Sequence, residues 1–171
     1  DLHKHFDNAV KSDIKHFTME VSSQALKYGR TDGVTFTIGC YLNIGIDHIS
    51  AIEHPDFEDY FQSKMKIFSQ CKTAVVNLDT DRSEDVIKAS KNAPEVITFS
   101  TKDESADVYG YNIRKDGSDT VFTVRTKEFN RDFTLTMPGL FNVENALCAI
   151  AVCNKLGIPE QYIYTGLLKA R

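Results

Sequence analysis

Long apolar runs are missing from this chain. No segment approaches the roughly 20 residues that a membrane-spanning helix needs, and the opening residues, DLHKHFDNAV, carry no apolar stretch of the kind a secretion signal uses. Membrane attachment is therefore not expected, and a cytoplasmic protein is. An excess of positive charge is missing too. The chain has 20 Lys and Arg against 24 Asp and Glu, a formal charge of -4, so there is no basic field to meet a phosphate backbone, and nucleic acid is not an expected partner. Cysteine is sparse: Cys40, Cys71, Cys148 and Cys153 show no C-x-x-C spacing and lie in apolar surroundings. That pattern reads as small buried hydrophobes in a reducing compartment rather than as a redox or metal motif. Internal repeats, low-complexity tracts and long linkers are also lacking. The 171 residues, 26% of them charged, suffice for one substantial core with at most a small appended lobe.

What is present is an alternation of strand-like and helical stretches. HFTMEV (16–21) reads as a strand leading into a helix through about Tyr28, and FTIGCYLN (36–43) as a strand followed, after a loop, by the helical FEDYFQSKMKIF (57–68). TAVVNLD (73–79) and EVITFS (95–100) flank the amphipathic SEDVIKASK (83–91). Strand, helix, strand at this spacing predicts an α/β fold, a mostly parallel sheet flanked by helices. Between 106 and 137 the pattern becomes antiparallel, alternating runs broken by KDGSD and KEFNRD, either a mixed-sheet edge or a small β lobe. NVENALCAIAVCNKLG then predicts a nearly all-apolar helix stopped at Gly157 and Pro159, with a last helix beyond. Both ends fall within helical pattern, so a piece of a longer protein is expected.

In parallel sheets ligands gather beyond the carboxyl ends of strands. Glu20, Ser22 and Ser23 follow one such end, and Asn43, Asp47 and His48 another. Each has a plainer reading: a polar strand end, a serine helix cap, a hydrogen-bonded loop histidine, and for Asn142 a helix N-cap. Lys64 is different. It shares a helical face with Phe57, Tyr60, Phe61, Met65 and Phe68, whereas Lys66 lies on the opposite face. A lysine on such a stripe either snorkels outward along its stem or is buried, which lowers its pKa and leaves more free amine to react. A free amine takes up carbon dioxide as a carbamate, an anionic oxygen ligand suited to Mg²⁺.

The stretches MEVSSQALKYGRTDG (19–33), NIGIDH (43–48), DYFQSKMKIF (59–68), AVVNLD (74–79) and MPGLFNVENALCAIAVCNKLGI (137–158) together resemble the Mur ligase central domain, a P-loop NTPase-like fold, most closely the MurE type. The resemblance covers essentially the whole chain. It implies ATP-dependent amide formation in peptidoglycan precursor synthesis: a substrate carboxylate becomes an acyl phosphate, which the amine of an incoming amino acid attacks. The substrates implied are UDP-N-acetylmuramoyl-dipeptide and a free amino acid, with ATP and Mg²⁺ as cofactors and a monomer as the full-length form. It also implies that Glu20, His48 and a carbamylated Lys64 hold the metal and act in catalysis. Ser22, Arg30 and Tyr28 would contact the UDP-linked substrate, and Asn145, supported by Asn142 and Asn43, would contact the adenine of ATP.

This chain departs from the family pattern in places. Two extra residues separate His48 from Lys64, and ISAIEHPDF replaces the usual L-D-Y-H-G type loop. Tyr28 stands where glutamine is frequent, Gln24 where histidine is, and Leu42 where threonine is usual. The family's G-T-N-G-K-T phosphate loop does not occur in these residues. The expectation is a central domain over 1–171, truncated on its N-terminal side, without the UDP-binding and amino-acid-selecting domains and inactive alone. Two alternatives stay open: another ligase of the superfamily, MurF-type or MurE-like, or a binding module that has lost catalysis.

Overall fold

The computed structural model describes residues 2–45, 49–50, 52–137 and 139–170. The chain forms two compact units, Asp1–Val34 with His48–Lys66, and Thr35–Asp47 with Ile67–Arg171.

The second unit carries a six-stranded sheet whose spatial order follows the sequence: β1 (Phe36–Tyr41), β2 (Cys71–Asn77), β3 (Glu95–Ser100), β4 (Val108–Asp116), β5 (Asp119–Arg125) and β6 (Asn130–Leu135). β1 to β4 pair in parallel and β4 to β6 antiparallel, so the segment expected to be antiparallel is the edge of the mixed sheet. The β4–β5 turn needs two residues, Gly117 and Ser118, and Gly117 supplies the left-handed φ of 61° that such a turn requires. A bulge between Tyr111 and Arg114 places Asn112 at φ 50°, a region that asparagine tolerates better than most residues.

Three helices pack on this sheet: α4 (Ser83–Ser90) on β2, α5 (Leu140–Lys155) across β2 to β4, and α6 (Glu160–Lys169) on β6. β2 buries consecutive residues from Thr73 to Asn77, the mark of a strand covered on both faces. Val75, Phe99, Phe122, Phe133, Leu147 and Ile150 form the centre of the core, all fully shut from solvent. α5 closes as its sequence demands. Gly157 takes φ 72°, its N–H donates to the Asn154 carbonyl, and the Ile158 N–H reaches back to Cys153, before Pro159 opens α6. Ion pairs tie both helices to the sheet: Lys155 of α5 to Glu95 of β3 at 2.5 Å, and Arg131 of β6 to Glu160 of α6 at 2.8 Å.

The first unit holds α1 (Leu2–Val10), α2 (Ser23–Lys27) and α3 (Phe57–Met65). The strand expected at 16–21 is not formed; residues 14–22 carry neither helix nor strand. An alternating pattern becomes a strand only where a neighbour takes up its N–H and C=O groups. No described strand pairs with this segment, and Phe17 stays 50% exposed, its ring edge-on to Phe6 at 5.5 Å. The cysteine expectation also needs correcting. Cys71 and Cys148 are buried, but Cys153 is half-buried and Cys40 exposed, because among the described strands β1 has a neighbour on one side only.

Leu147 lies at the centre of the α5 contact and nearly touches β4, where a side chain at Gly110 would meet it at 2.8 Å. Leu147→Ala should cost about 2–5 kcal/mol of unfolding free energy, read from urea denaturation. A loss below about 1 kcal/mol would mean that this contact does not carry the core.

Candidate functional site

α3 begins at Asp56, whose Oδ1 accepts the Asp59 N–H at 2.8 Å, and Glu58 and Asp59 add negative charge where the helix dipole favours it. Its inward face buries Tyr60, Phe61 and Met65. Lys64, one turn beyond Tyr60, is half-buried, with Nζ 5.4 Å from the centre of the Tyr60 ring. Burial holds its amine below the ordinary lysine range. Lys66 falls in the short 3₁₀ turn that follows, exposed, with Nζ 3.5 Å from the Lys27 carbonyl. The two lysines of this segment do have different surroundings.

α2 is capped by Ser22, whose Oγ accepts the Ala25 N–H at 3.1 Å, so the plain capping reading of this serine holds. Ser23, the first helical residue, is buried. Its Oγ lies 2.9 Å from Nε2 of His54, and Nδ1 of His54 lies 2.6 Å from Oδ2 of Asp59. Lys27 donates to the same Asp59 oxygen at 2.6 Å and to the Glu53 carbonyl at 3.1 Å. The hydrogen bond from Lys27, and then that from His54, hold the Asp59 carboxyl below the usual range. This four-residue junction ties α2 to α3. Sequence reading did not single it out. A buried histidine in a loop has no periodicity to betray it, and the only signal was the unusual ISAIEHPDF insertion.

Of the other residues expected in the first unit, Glu20 is exposed in the irregular segment before α2, and Arg30 is exposed after it. Tyr28 is 56% exposed, its ring flanked by Lys27 Nζ at 5.7 Å and Arg30 Cζ at 6.0 Å. Asp47 and His48 lie outside the described residues. In the second unit Asn43 is exposed just past β1, and Asn145 Nδ2 sits 3.5 Å from Asn142 Oδ1 on the first turns of α5. Asn142 is not the helix cap: α5 starts two residues earlier, behind Gly139 at φ 106°. Between these asparagines Glu144 accepts from the buried Asn77 at 3.0 Å, anchoring the turn to the end of β2.

Among the described residues no group of three His, Cys, Asp or Glu side chains could hold a metal ion. Beyond the carboxyl ends of β2 and β3 a cleft of about 610 Å³ is lined by residues including Asp79, Ser83, Glu84, Lys102 and Asp103. None of the expected site residues lines it, and Asp79 is already committed to Ser100 and to the Thr101 N–H and hydroxyl, both at 2.7 Å.

Residues 1–153 match the Mur ligase middle domain. The chain belongs to the Mur ligase family. It is 34% identical over 173 residues to a UDP-N-acetylmuramoyl-L-alanyl-D-glutamate--L-lysine ligase of Streptococcus pneumoniae, covering 100% of this chain and 34% of that protein. It is 37% identical over 168 residues to a UDP-N-acetylmuramoyl-L-alanyl-D-glutamate--2,6-diaminopimelate ligase of Caldanaerobacter subterraneus, covering 98% of this chain and 34% of that one. A solved structure of a 2,6-diaminopimelate ligase of the same description superposes with TM-score 0.80 at 27% identity, over 89% of this chain and 32% of the other. The chain thus spans about a third of the length of these relatives. Its mostly parallel sheet, antiparallel edge and flanking helices are those of a Mur ligase middle domain.

The depressed Asp59 carboxyl makes a pH prediction for this domain. Its contribution to stability is complete above the unfolded carboxyl pKa, about 4, and is lost as pH falls through the lower folded value. Wild type should therefore exceed Asp59→Asn in stability at neutral pH, and the gap should close on acidification below about pH 4. Urea midpoints measured across pH check this, and a gap independent of pH would contradict it.

Proposed function

We propose that this chain is the ATP-binding central domain of a MurE-type ligase, joining the third amino acid to UDP-N-acetylmuramoyl-L-Ala-D-Glu through an acyl phosphate in peptidoglycan precursor synthesis. The observation that carries the reading is Lys64, a half-buried amine with a lowered pKa on the face of α3. It stands in a chain whose relatives are named as lysine- and diaminopimelate-adding ligases. The reading places the enzyme in the cytoplasm as a monomer, taking a UDP-linked dipeptide and a free amino acid.

Lys64 has what carbamylation asks for. The ammonium first gives up one proton; the neutral amine then adds to carbon dioxide, a C–N bond forming as one C=O π bond opens, and a second proton leaves, so that a cation has become an anion with two oxygens. Glu20 and His48 complete a donor set dominated by anionic oxygen, which fits Mg²⁺. When bound, the ion supplies charge neutralisation at the phosphate oxygens. Ser22, Arg30 and Tyr28 take the substrate side; the planar guanidinium of Arg30 suits a carboxylate or phosphate. Asn145, with Asn142 and Asn43, takes adenine, since a carboxamide matches its N6 and N7 edge. The Asn77–Glu144 bond supports this turn of α5 from below.

The test uses the full-length protein with ATP, Mg²⁺, the UDP-linked dipeptide, and lysine or diaminopimelate. Tripeptide product detected by mass spectrometry supports the assignment, and its absence with both amino acids sinks it. Lys64→Ala should weaken binding of Mg²⁺-nucleotide about tenfold or more, read by calorimetry; equal affinity would remove Lys64 from the site.

A further inference from the structure

Among the described residues of the first unit His54 is the most enclosed polar side chain, 0% exposed, yet no role in the ligase reading needs it. Its three contacts point in three directions. Nε2 meets Ser23 at the start of α2, and Nδ1 meets Asp59 in the first turn of α3. The ring lies 5.1 Å from that of Tyr60, on which Lys64 rests. Each ring nitrogen has a partner within hydrogen-bond distance, Asp59 on one side and Ser23 on the other, so neither is left bare inside the unit.

The order Asp59, His54, Ser23 has the connectivity of a nucleophile relay. The surroundings argue against that use. Lys27 occupies the same carboxylate oxygen as Nδ1, spending the charge that would have to stabilise an imidazolium, and Ser23 is only 8% exposed.

We propose that His54 is a positioning residue: by joining Ser23 to Asp59 and backing Tyr60, it fixes the Ser22 turn and the Lys64 side chain in one rigid arrangement. Ser22 and Lys64 are then held in common register, so substrate and metal contacts rest on one buried ring. The inference takes its functional meaning from the ligase reading.

Two substitutions in the full-length protein separate the halves of the bridge. His54→Asn puts an amide nitrogen near the Nδ1 position, keeping Asp59 and losing Ser23. His54→Gln reaches the Nε2 position, keeping Ser23 and losing Asp59. The Ala25 amide, bonded to Ser22 Oγ, reports on the turn by hydrogen exchange. It should exchange about tenfold faster in His54→Asn, with the amides of β5 unchanged, and His54→Gln should restore most of the protection. The KM for the UDP-linked dipeptide should rise about tenfold in His54→Asn and stay near wild type in His54→Gln, while Mg²⁺-nucleotide binding should weaken in both, since both lose the ring behind Tyr60; unchanged nucleotide binding in both would remove Lys64 from the proposal. Equal acceleration at Ala25 in both variants, none in either, or faster exchange spreading to β5 would overturn the proposal, because a merely structural histidine behaves in one of those ways. A wild-type protein that makes no tripeptide would sink the ligase reading alone, since Ala25 exchange judges His54 without activity.

Discussion

The carboxylate of Asp59 takes Lys27 and His54 on a single oxygen at 2.6 Å each, while its own N–H is held by Asp56. Around that convergence the first unit organises its two site-bearing helices. Asp56 starts α3, Asp59 anchors it to α2 through Lys27, and His54 carries the connection on to Ser23. A partly exposed ion pair alone contributes little. The weight here comes from His54, because a fully buried imidazole is tolerable only when both nitrogens find partners. Remove the acceptor and the ring becomes a buried group with one nitrogen unsatisfied; keep it and α2 is tied to α3 through Ser23 as well as Lys27.

The second unit depends on a different constraint, the burial of β2 on both faces. That requirement calls for helices against the sheet, and α5, apolar over most of its length, answers it with Val143, Ala146, Leu147 and Ile150. Its polar residues lie at the two ends, Asn154 and Lys155 in the last turn, and Asn142, Glu144 and Asn145 in the first turns near the end of β2. One helix therefore carries much of the core and presents the proposed nucleotide contacts from the same rigid base.

Much of this was legible in the sequence, and the reasons differ by element. Core strands and α5 announce themselves by composition and period, and α5 also by its stop at Gly157 and Pro159, since those residues enforce local geometry wherever they stand. The contrast between Lys64 and Lys66 was readable because helical spacing decides which side chain faces inward. HFTMEV misled, because alternation records a capacity to pair and pairing needs a neighbour. The Asp59 junction was invisible for a related reason: Ser23, Lys27, His54 and Asp59 meet only through folding, across separations of up to 32 residues. On a helical projection Asp59 falls off the apolar stripe of Phe57, Tyr60, Phe61 and Met65, where an ordinary solvated carboxylate would also fall.

The placement of Lys64 over Tyr60 has an electrostatic corollary. An aromatic face is electron-rich and draws an ammonium to itself, but it repels an anion. Whatever converts this amine to a negatively charged group also reverses the sign of its attraction to the ring, so the resting perch of the cation becomes unfavourable for the product. The electropositive edge of Tyr60, rather than its face, would then be what the modified side chain meets, a small turn of Lys64 beside the same ring.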